Sequence, residues 1–164
     1  MTAPANDWSL RPGRAEDVEL VAELRAEVMR PDLERLGRYD EQRVRRRVRD
    51  GFSTAYTRII ETAAGAFAGC VTLRPHETAE GLCLEHFYLA PALQGRGLGG
   101  AVLRSLLERA DAESAPVRLQ VLQGSAARRL YERAGFTVES EDAVDVWMVR
   151  EPAPRAVTPP DQPS

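Results

Sequence analysis

The chain has 164 residues, of which 43% are apolar and 29% charged, and its formal net charge is −3. These values are typical of one globular domain, and the small negative charge argues against general binding to nucleic acid or to a membrane surface. All basic residues are arginines, a bias that indicates a GC-rich, bacterial genome. The chain has neither a run of about 18 apolar residues nor a secretory signal pattern, so we expect a cytoplasmic protein.

The first third of the chain predicts a short strand and two helices. Residues 8–11 form the strand, and residues 15–29 carry apolar side chains at helical spacing. We expect Pro31 to end this helix and residues 33–49 to form a second one with an arginine-rich outer face. Such a face is usually solvated, and the alternative is a docking patch for an acidic substrate or partner.

The rest of the chain predicts three strands, a helix, a strand, a helix and two closing strands. In chain order these elements occupy residues 55–62, 66–73, 82–89, 99–112, 117–122, 125–134, 136–139 and 143–149. The first three strands indicate an antiparallel meander. The strands at residues 82–89 and 117–122 should be parallel neighbours, because the helix at residues 99–112 connects them as a crossover.

These elements predict an α/β (α+β) fold with a mixed, mostly antiparallel sheet, one central parallel pair and helices on both faces. We assign residues 8–150 to a single domain. Residues 1–7 form a short polar lead, and the Pro-rich tail of residues 151–164 is expected to be disordered. The two cysteines, Cys70 and Cys83, lie in apolar strand-like runs and are expected to be buried, reduced thiols rather than a disulfide or a nucleophile.

A glycine-rich loop, QGRGLGG at residues 94–100, lies between a predicted strand and the start of a predicted helix. Glycines leave the backbone N–H groups accessible, and the helix N-terminus adds partial positive charge, so we expect a phosphate or pyrophosphate to bind here. Gln123-Gly124-Ser125 follows the neighbouring parallel strand. Both segments therefore lie at carboxyl strand ends, where ligands bind in such sheets.

Two common phosphate-binding motifs fit this loop poorly. Gly95-x-Gly97-x-x-Gly100 matches the dinucleotide fingerprint, but that motif should open the first βαβ unit, and several elements precede it here. The next strand also ends in Leu122-Gln123 rather than in an acidic residue. A Walker loop requires a lysine, which the chain lacks.

A third motif fits well. The letters QGRGLG at residues 94–99 match the Q/R-x-x-G-x-G/A pattern of the GNAT acetyltransferases, and Leu-Ala-Pro precedes them as in that family. A second motif, AxxLYExxGF, follows at residues 127–136. The chain therefore resembles this family from about residue 9 to residue 150. The resemblance implies that acetyl-CoA donates an acetyl group to a primary amine of a small molecule or protein, by direct attack in a ternary complex.

The resemblance also implies where CoA binds. The pyrophosphate would lie on the amides of the glycine loop, and the pantetheine arm would extend along the end of the strand at residues 82–89. Family members often have an asparagine at the position of Ser125, or of Gly124 in the alternative register, and the side chain of Ser125 has a shorter reach. The implied cofactor-binding residues are Phe87, Tyr88, Leu89, Gln94, Gly95, Arg96, Gly97, Leu98, Gly99, Gly100, Ser125, Arg128 and Tyr131.

Two residues are candidates for catalysis. By resemblance, Tyr131 would protonate the leaving thiolate, and the alternative is a tyrosine packed against the core or the cofactor. Glu85 is the candidate general base for the amine, expected on one face with Phe87 and Leu89, and the alternative is a glutamate paired with an arginine. His86 should point to the opposite face. The two histidines lack the spacing of a metal site, so we expect no metal.

A different class of function stays open at this stage. The same fold could serve as a non-catalytic acyl-CoA-binding or interaction module, and the serine at residue 125 motivates that alternative. The sequence does not identify the amine acceptor. The resemblance also admits a homodimer, because dimers are common among similar proteins.

Overall fold

The protein, seen here as a computed structural model, is described for residues 7–154. The strands are Trp8–Pro12 (β1), Thr57–Thr62 (β2), Phe67–Pro75 (β3), Leu82–Leu89 (β4), Val117–Leu122 (β5), Thr137–Glu141 (β6) and Asp145–Arg150 (β7). The α-helices are Val18–Arg35 (α1), Glu41–Gly51 (α2), Leu98–Ala112 (α3) and Ala127–Arg133 (α4). Nearly all of the predicted lead and most of the predicted tail, residues 1–6 and 155–164, lie outside the described residues.

The strands form one seven-stranded sheet in the order β1-β2-β3-β4-β5-β7-β6. Only β4 and β5 pair in parallel, and every other neighbouring pair is antiparallel. The predicted fold class is therefore confirmed. The predicted bounds of β4 and β5 also agree with the structure, because glycine or proline borders each of these apolar runs on its N-terminal side.

The predicted boundary between the first two helices is wrong. Pro31 lies inside α1, on its exposed side, and the helix continues for another turn. Gly37, with φ +69°, follows the end of the helix. The second helix then begins after Asp40, whose carboxylate accepts hydrogen bonds from the N–H groups of Gln42 (3.0 Å) and Arg43 (2.8 Å).

The helices pack against both faces of the sheet. On one face, α3 and α4 cover the larger core, which includes Leu103, Leu119 and Met148. On the other face, α1 and α2 cover a smaller core of Val21, Ala22, Val48, Ile59 and Cys70. The arginine-rich outer face of α2 is tied to α1 by the ion pairs Arg45–Glu23 (2.7 Å) and Arg49–Glu19 (2.8 Å).

A β-bulge at His86 divides β4 into two parts. Thr72 of β3 pairs with Glu85, and Cys70 pairs with Tyr88, so one residue of β3 lies opposite two residues of β4. His86 has a left-handed backbone conformation with φ +46°. The inserted residue shifts the alternation of side chains along the rest of the strand, so that residues before and after the bulge no longer follow one period of two.

The bulge corrects the expected side-chain directions on β4. Phe87 and Leu89 pack into the core beside α3, on the face that also holds Leu84. Glu85 and Tyr88 lie instead on the face covered by α1 and α2. The expectation that Glu85 shares a face with Phe87 and Leu89 is therefore wrong, and so is the expectation that His86 points away from Glu85.

β4 and β5 separate soon after they begin. Their only paired positions in the described chain are Leu82 with Val117 and Cys83 with Arg118. β5 meanwhile stays paired with β7 along its whole length. A wedge-shaped gap therefore opens in the middle of the sheet, towards the carboxyl ends of the two parallel strands.

Gly69 allows β3 and β4 to approach closely beside the bulge. A Cβ at this position would collide with the backbone carbonyl of Tyr88, which cannot rotate away. We expect Gly69→Ala to lower the free energy of unfolding by about 3 kcal/mol, measured by urea denaturation. Gly65→Ala is the control, since Gly65 also has a positive φ but has open space around it. An equally small loss for both variants would contradict the prediction.

Candidate active site

A cleft of about 1860 Å³ opens at the gap between β4 and β5. The helices α1 and α2 bound it on one side, and the glycine loop and the start of α4 bound it on the other. The predicted site residues that line it are Glu85, Phe87, Tyr88, Leu89, Gln94, Gly95, Gly97, Gly99, Gly100, Ser125 and Tyr131. Arg96, Leu98 and Arg128 lie outside this lining, with Leu98 packed on the core and Arg128 paired with Glu132 at 3.1 Å.

The glycine loop leaves a run of backbone donors free at the start of α3. Gly95 and Gly97 have φ angles of +75° and +82°, which favour glycine. No side chain of the described residues caps the helix, and its first internal bond runs from the N–H of Ala101 to the carbonyl of Gly97 (3.0 Å). Within residues 7–154, the N–H groups of residues 95–100 have no acceptor. Together with the positive end of the helix dipole, they form a site suited to a phosphate group.

The helix α4 places Tyr131 at the cleft. The N–H groups of Gly135 and Phe136 donate to the carbonyls of Glu132 (3.1 Å) and Tyr131 (3.0 Å), which ends the helix as predicted with glycine after its last turn. Tyr131 is 8% exposed and packs edge-on against Phe136, with ring centroids 5.7 Å apart. Burial raises its pKa above the usual value for a phenol, and nearby Tyr88 adds to this. In the described part of the chain its hydroxyl has no hydrogen-bond partner.

The loop between β5 and α4 borders the cleft. Ser125 lies one residue before the N-cap of α4, which is Ala126, so the prediction of Ser125 as the N-cap is wrong by one residue. Its hydroxyl accepts a hydrogen bond from the N–H of Ala127 (3.2 Å), the first residue of the helix. Arg35, near the end of α1, donates to the carbonyl of Gln123 (2.5 Å) and packs over Gly124, where a Cβ would lie within 3 Å of the guanidinium. This contact joins segments far apart in sequence and therefore could not be predicted from motifs.

Glu85 lies on the α2 side of the cleft and pairs with Arg74. The Nε of Arg74 is 3.2 Å from a carboxylate oxygen of Glu85, although its N–H is not aligned for a hydrogen bond. Arg74 also donates from Nη2 to the carbonyl of Gly51 (2.7 Å). The arginine pairing that we gave as the alternative for Glu85 is therefore present. With 37% of its side chain exposed, the carboxylate also faces the open cleft.

A hydrogen-bonded chain of three side chains crosses the cleft wall next to Glu85. The Nε of Arg25 donates to the hydroxyl of Tyr88 (2.9 Å), which lies 3.2 Å from Nδ1 of His86. The tyrosine oxygen accepts the hydrogen bond from Arg25, and the direction of the bond between Tyr88 and His86 depends on the tautomer of the histidine. Burial raises the pKa of Tyr88 to about 12 and lowers that of His86 to about 4.

The low pKa of His86 makes stability depend on pH. Between pH 6.5 and 4 the unfolded chain binds a proton at this residue and the folded chain does not, so the free energy of unfolding falls as the pH falls. We expect a loss of about 3 kcal/mol over this interval, measured by urea denaturation. His86→Asn, which tolerates the positive φ, should remove this part of the pH dependence. An unchanged slope would contradict the prediction.

The two cysteines are free thiols. Cys70 is fully buried, and Cys83 lies in the cleft with its Sγ 3.5 Å from a carboxylate oxygen of Glu85. Burial raises the pKa of each thiol to about 12. Neither therefore carries much thiolate at neutral pH. Residues 7–154 also contain no group of three or more side chains placed to hold a metal ion, and none of their helices is long and apolar enough to cross a membrane.

A comparison with models of known protein families identifies a family that matches most of this fold, including the glycine loop. The model of the acetyltransferase (GNAT) family matches residues 19–136, which is more than half of the chain. The chain belongs to this family of acetyltransferases. The matched segment begins in α1 and ends just after α4, so it contains the glycine loop, the gap between β4 and β5, and Tyr131.

Solved structures with the same fold include several N-acetyltransferases. PaiA N-acetyltransferase from Thermoplasma acidophilum, solved in complex with coenzyme A, is 21% identical, with a TM-score of 0.67 over 88% of this chain and 98% of that chain. A GNAT acetyltransferase from Streptococcus agalactiae is 14% identical, with a TM-score of 0.69 over 91% and 98%. At these identities the likeness shows the fold. A comparison with curated proteins finds no match.

Proposed function

We propose that this protein is an N-acetyltransferase that uses acetyl-CoA and acetylates a primary amine by direct attack in a ternary complex. The observation that carries the proposal is the run of free N–H groups at residues 95–100, beside the gap between β4 and β5. Family membership supports it, and so does the coenzyme A bound to a relative of the same fold. Residues 8–150 would form the single catalytic domain.

The free backbone groups suggest how CoA is held. Its pyrophosphate would lie on the amides of residues 95–100. Arg96 is exposed nearby, without an ion-pair partner among residues 7–154, and would add positive charge. The pantetheine arm would enter the gap along the edge of β4, where residues 84–89 have no partner on β5. Ser125, in the loop after β5 on the other side of the gap, would offer a hydroxyl. Arg128 would have to leave Glu132 to reach a phosphate.

The proposed chemistry needs an acid for the leaving thiolate and a base for the amine. As the amine attacks, the C–S bond breaks, and the Tyr131 hydroxyl gives its proton to the sulfur. The phenol is protonated at neutral pH, and its hydroxyl has no competing partner in the described structure. Glu85 is the candidate base, directly or through water, because its carboxylate reaches the cleft from the side of α1 and α2.

The cysteine environments favour direct transfer over an acyl-enzyme. A covalent route requires a nucleophile with substantial thiolate character. Cys83 is the cysteine that lines the cleft, and burial together with the nearby carboxylate of Glu85 raises its pKa to about 12. The amine acceptor is therefore the expected nucleophile.

Thiol release in the presence of acetyl-CoA and a panel of primary amines tests the proposal. The panel should include small metabolites, an aminoglycoside and peptides with a free N-terminus or lysine, and binding of CoA should be measured separately by calorimetry. We expect micromolar binding and release with at least one amine. Tight binding without release for any amine would favour the non-catalytic acyl-CoA-binding module instead. No binding would contradict both.

A further inference from the structure

Arg25 is a buried cation in the cleft without an anionic partner among residues 7–154. Arg25 is only 8% exposed. Nε donates to the Tyr88 hydroxyl (2.9 Å) and Nη1 to the carbonyl of Val44 (2.7 Å), both of which are neutral acceptors. Within residues 7–154 no carboxylate lies within 4.0 Å of its guanidinium, and Nη2 has no acceptor. Arg25 lines the cleft, so this free end is accessible from it.

Three other arginines of residues 7–154, with at most 22% of their side chains exposed, are each paired with a carboxylate. Arg11 pairs with Asp17 (2.8 Å), Arg150 with Asp111 (2.8 Å) and Arg74 with Glu85 (3.2 Å). A buried charge without a partner is costly, and proteins normally pair it or supply an ionic ligand. Arg25 departs from this pattern at the place where an acceptor would bind.

Three carboxylates on the α1 and α2 side of the cleft lie in the part of the chain that holds Arg25 but do not pair with it. Asp32 pairs with Arg35 (3.1 Å), and Asp40 caps α2. Asp50 lies near the end of α2, about 9 Å along the helix from Val44, the residue that Arg25 contacts. None of them neutralises Arg25 within the structure.

We propose that Arg25 binds a carboxylate of the acceptor, so that the substrate is an amine that also carries a carboxylate, as an amino acid does. This inference rests on the proposed acetyltransferase function. The guanidinium keeps the N–H groups of Nη2 free, so it can give a charge-assisted hydrogen bond to a carboxylate oxygen. Its other contacts, to Tyr88 on β4 and to Val44 on α2, hold it in place beside the strand that borders the gap.

Two further arginines lie on the same side of the cleft, beside the carboxylates of Asp40 and Asp50. Arg43 and Arg47 are one turn apart on α2, exposed, and line the cleft. No carboxylate of residues 7–154 forms an ion pair with either of them. Both arginines can therefore attract an anionic substrate towards the buried one.

Matched acceptors that differ only in the carboxylate test the inference. The probes are a set of free L-amino acids and the corresponding L-amino-acid amides, each assayed by thiol release with saturating acetyl-CoA. The wild-type protein should show a kcat/KM at least about 30-fold higher for the preferred acid than for its amide. Arg25→Gln should lower kcat/KM for that acid about 30-fold, mainly through KM, and leave the amide within about 3-fold.

Two further variants make the result specific. Arg25→Lys should recover part of the preference, because it keeps the charge but loses the planar geometry. Arg46→Gln removes an exposed arginine of α2 that does not line the cleft. It should leave kcat/KM unchanged for both the acid and its amide. If Arg25→Gln does not fold, the comparison of acids and amides on the wild-type protein still decides the question.

The outcomes separate this inference from the proposed function. Equal kcat/KM for acids and amides in the wild-type protein would overturn the carboxylate site and leave the acetyltransferase intact. A preference for acids that survives in a folded Arg25→Gln variant would overturn the role of Arg25. Binding of CoA without release for any amine would overturn the proposed function and this inference with it.

Discussion

Tyr131→Phe is expected to lower kcat about 1000-fold and to leave the dissociation constant for acetyl-CoA unchanged. The substitution removes only the hydroxyl that would protonate the leaving thiolate, while the ring keeps its packing against Phe136. Because that hydroxyl has no partner in the described structure, the free energy of unfolding should change little. Thiol release at saturating acetyl-CoA, calorimetry and urea denaturation measure these three quantities.

The matched control is Tyr56→Phe. Tyr56 is 42% exposed and does not line the cleft, so the loss of its hydroxyl should change neither kcat nor binding. If Tyr131→Phe retained the wild-type kcat, Tyr131 would be a packing residue, as our alternative for it supposed. A parallel loss of kcat and of acetyl-CoA affinity would instead assign the hydroxyl to cofactor binding.

Gly97→Leu is expected to weaken CoA binding more than about 100-fold. The leucine side chain would project into the open space beside the free N–H groups of residues 95–100, which is where we place the pyrophosphate. The positive φ of Gly97 also strains any residue with a Cβ, at about 1–2 kcal/mol. The protein should therefore fold, with moderately reduced stability.

Gly65→Leu separates the strain from the loss of binding. Gly65 has nearly the same φ, +81° against +82°, and similarly open surroundings, but it lies in the turn between β2 and β3, away from the cleft. Both variants should lose similar stability by urea denaturation, and only Gly97→Leu should lose CoA binding by calorimetry. Unchanged affinity in Gly97→Leu would mean that the loop does not hold the phosphates.

The sequence predicted the sheet well because its signals are local. β4 and β5 are apolar runs that glycine or proline precedes, and the order of strands and helices requires one parallel pair. The sequence did not predict the C-terminal end of α1 correctly. Pro31 is a strong local signal for a break, but it lies on the exposed side of α1, where the helix continues past it to the glycine at residue 37.

The bulge could not be predicted, because a single inserted residue leaves no signal in the composition of the strand. Alternation along β4 placed Glu85 with Phe87 and Leu89, whereas the left-handed conformation of His86 sends Glu85 to the opposite face. The glycine loop was predictable because its donors are consecutive in the chain. Arg25 and Arg35 were not, because their partners Tyr88 and Gln123 are 63 and 88 residues away and no spacing links them.

The separation of β4 and β5 gives the sheet two internal edges. Unpaired edges usually invite another strand, and proteins commonly shield them with short lengths or charges. Here the edges face each other within one molecule, flanked by helices on both faces of the sheet. An extended ligand with its own amide groups can complete the sheet between them. The fold thus leaves a position for a strand that residues 7–154 do not supply.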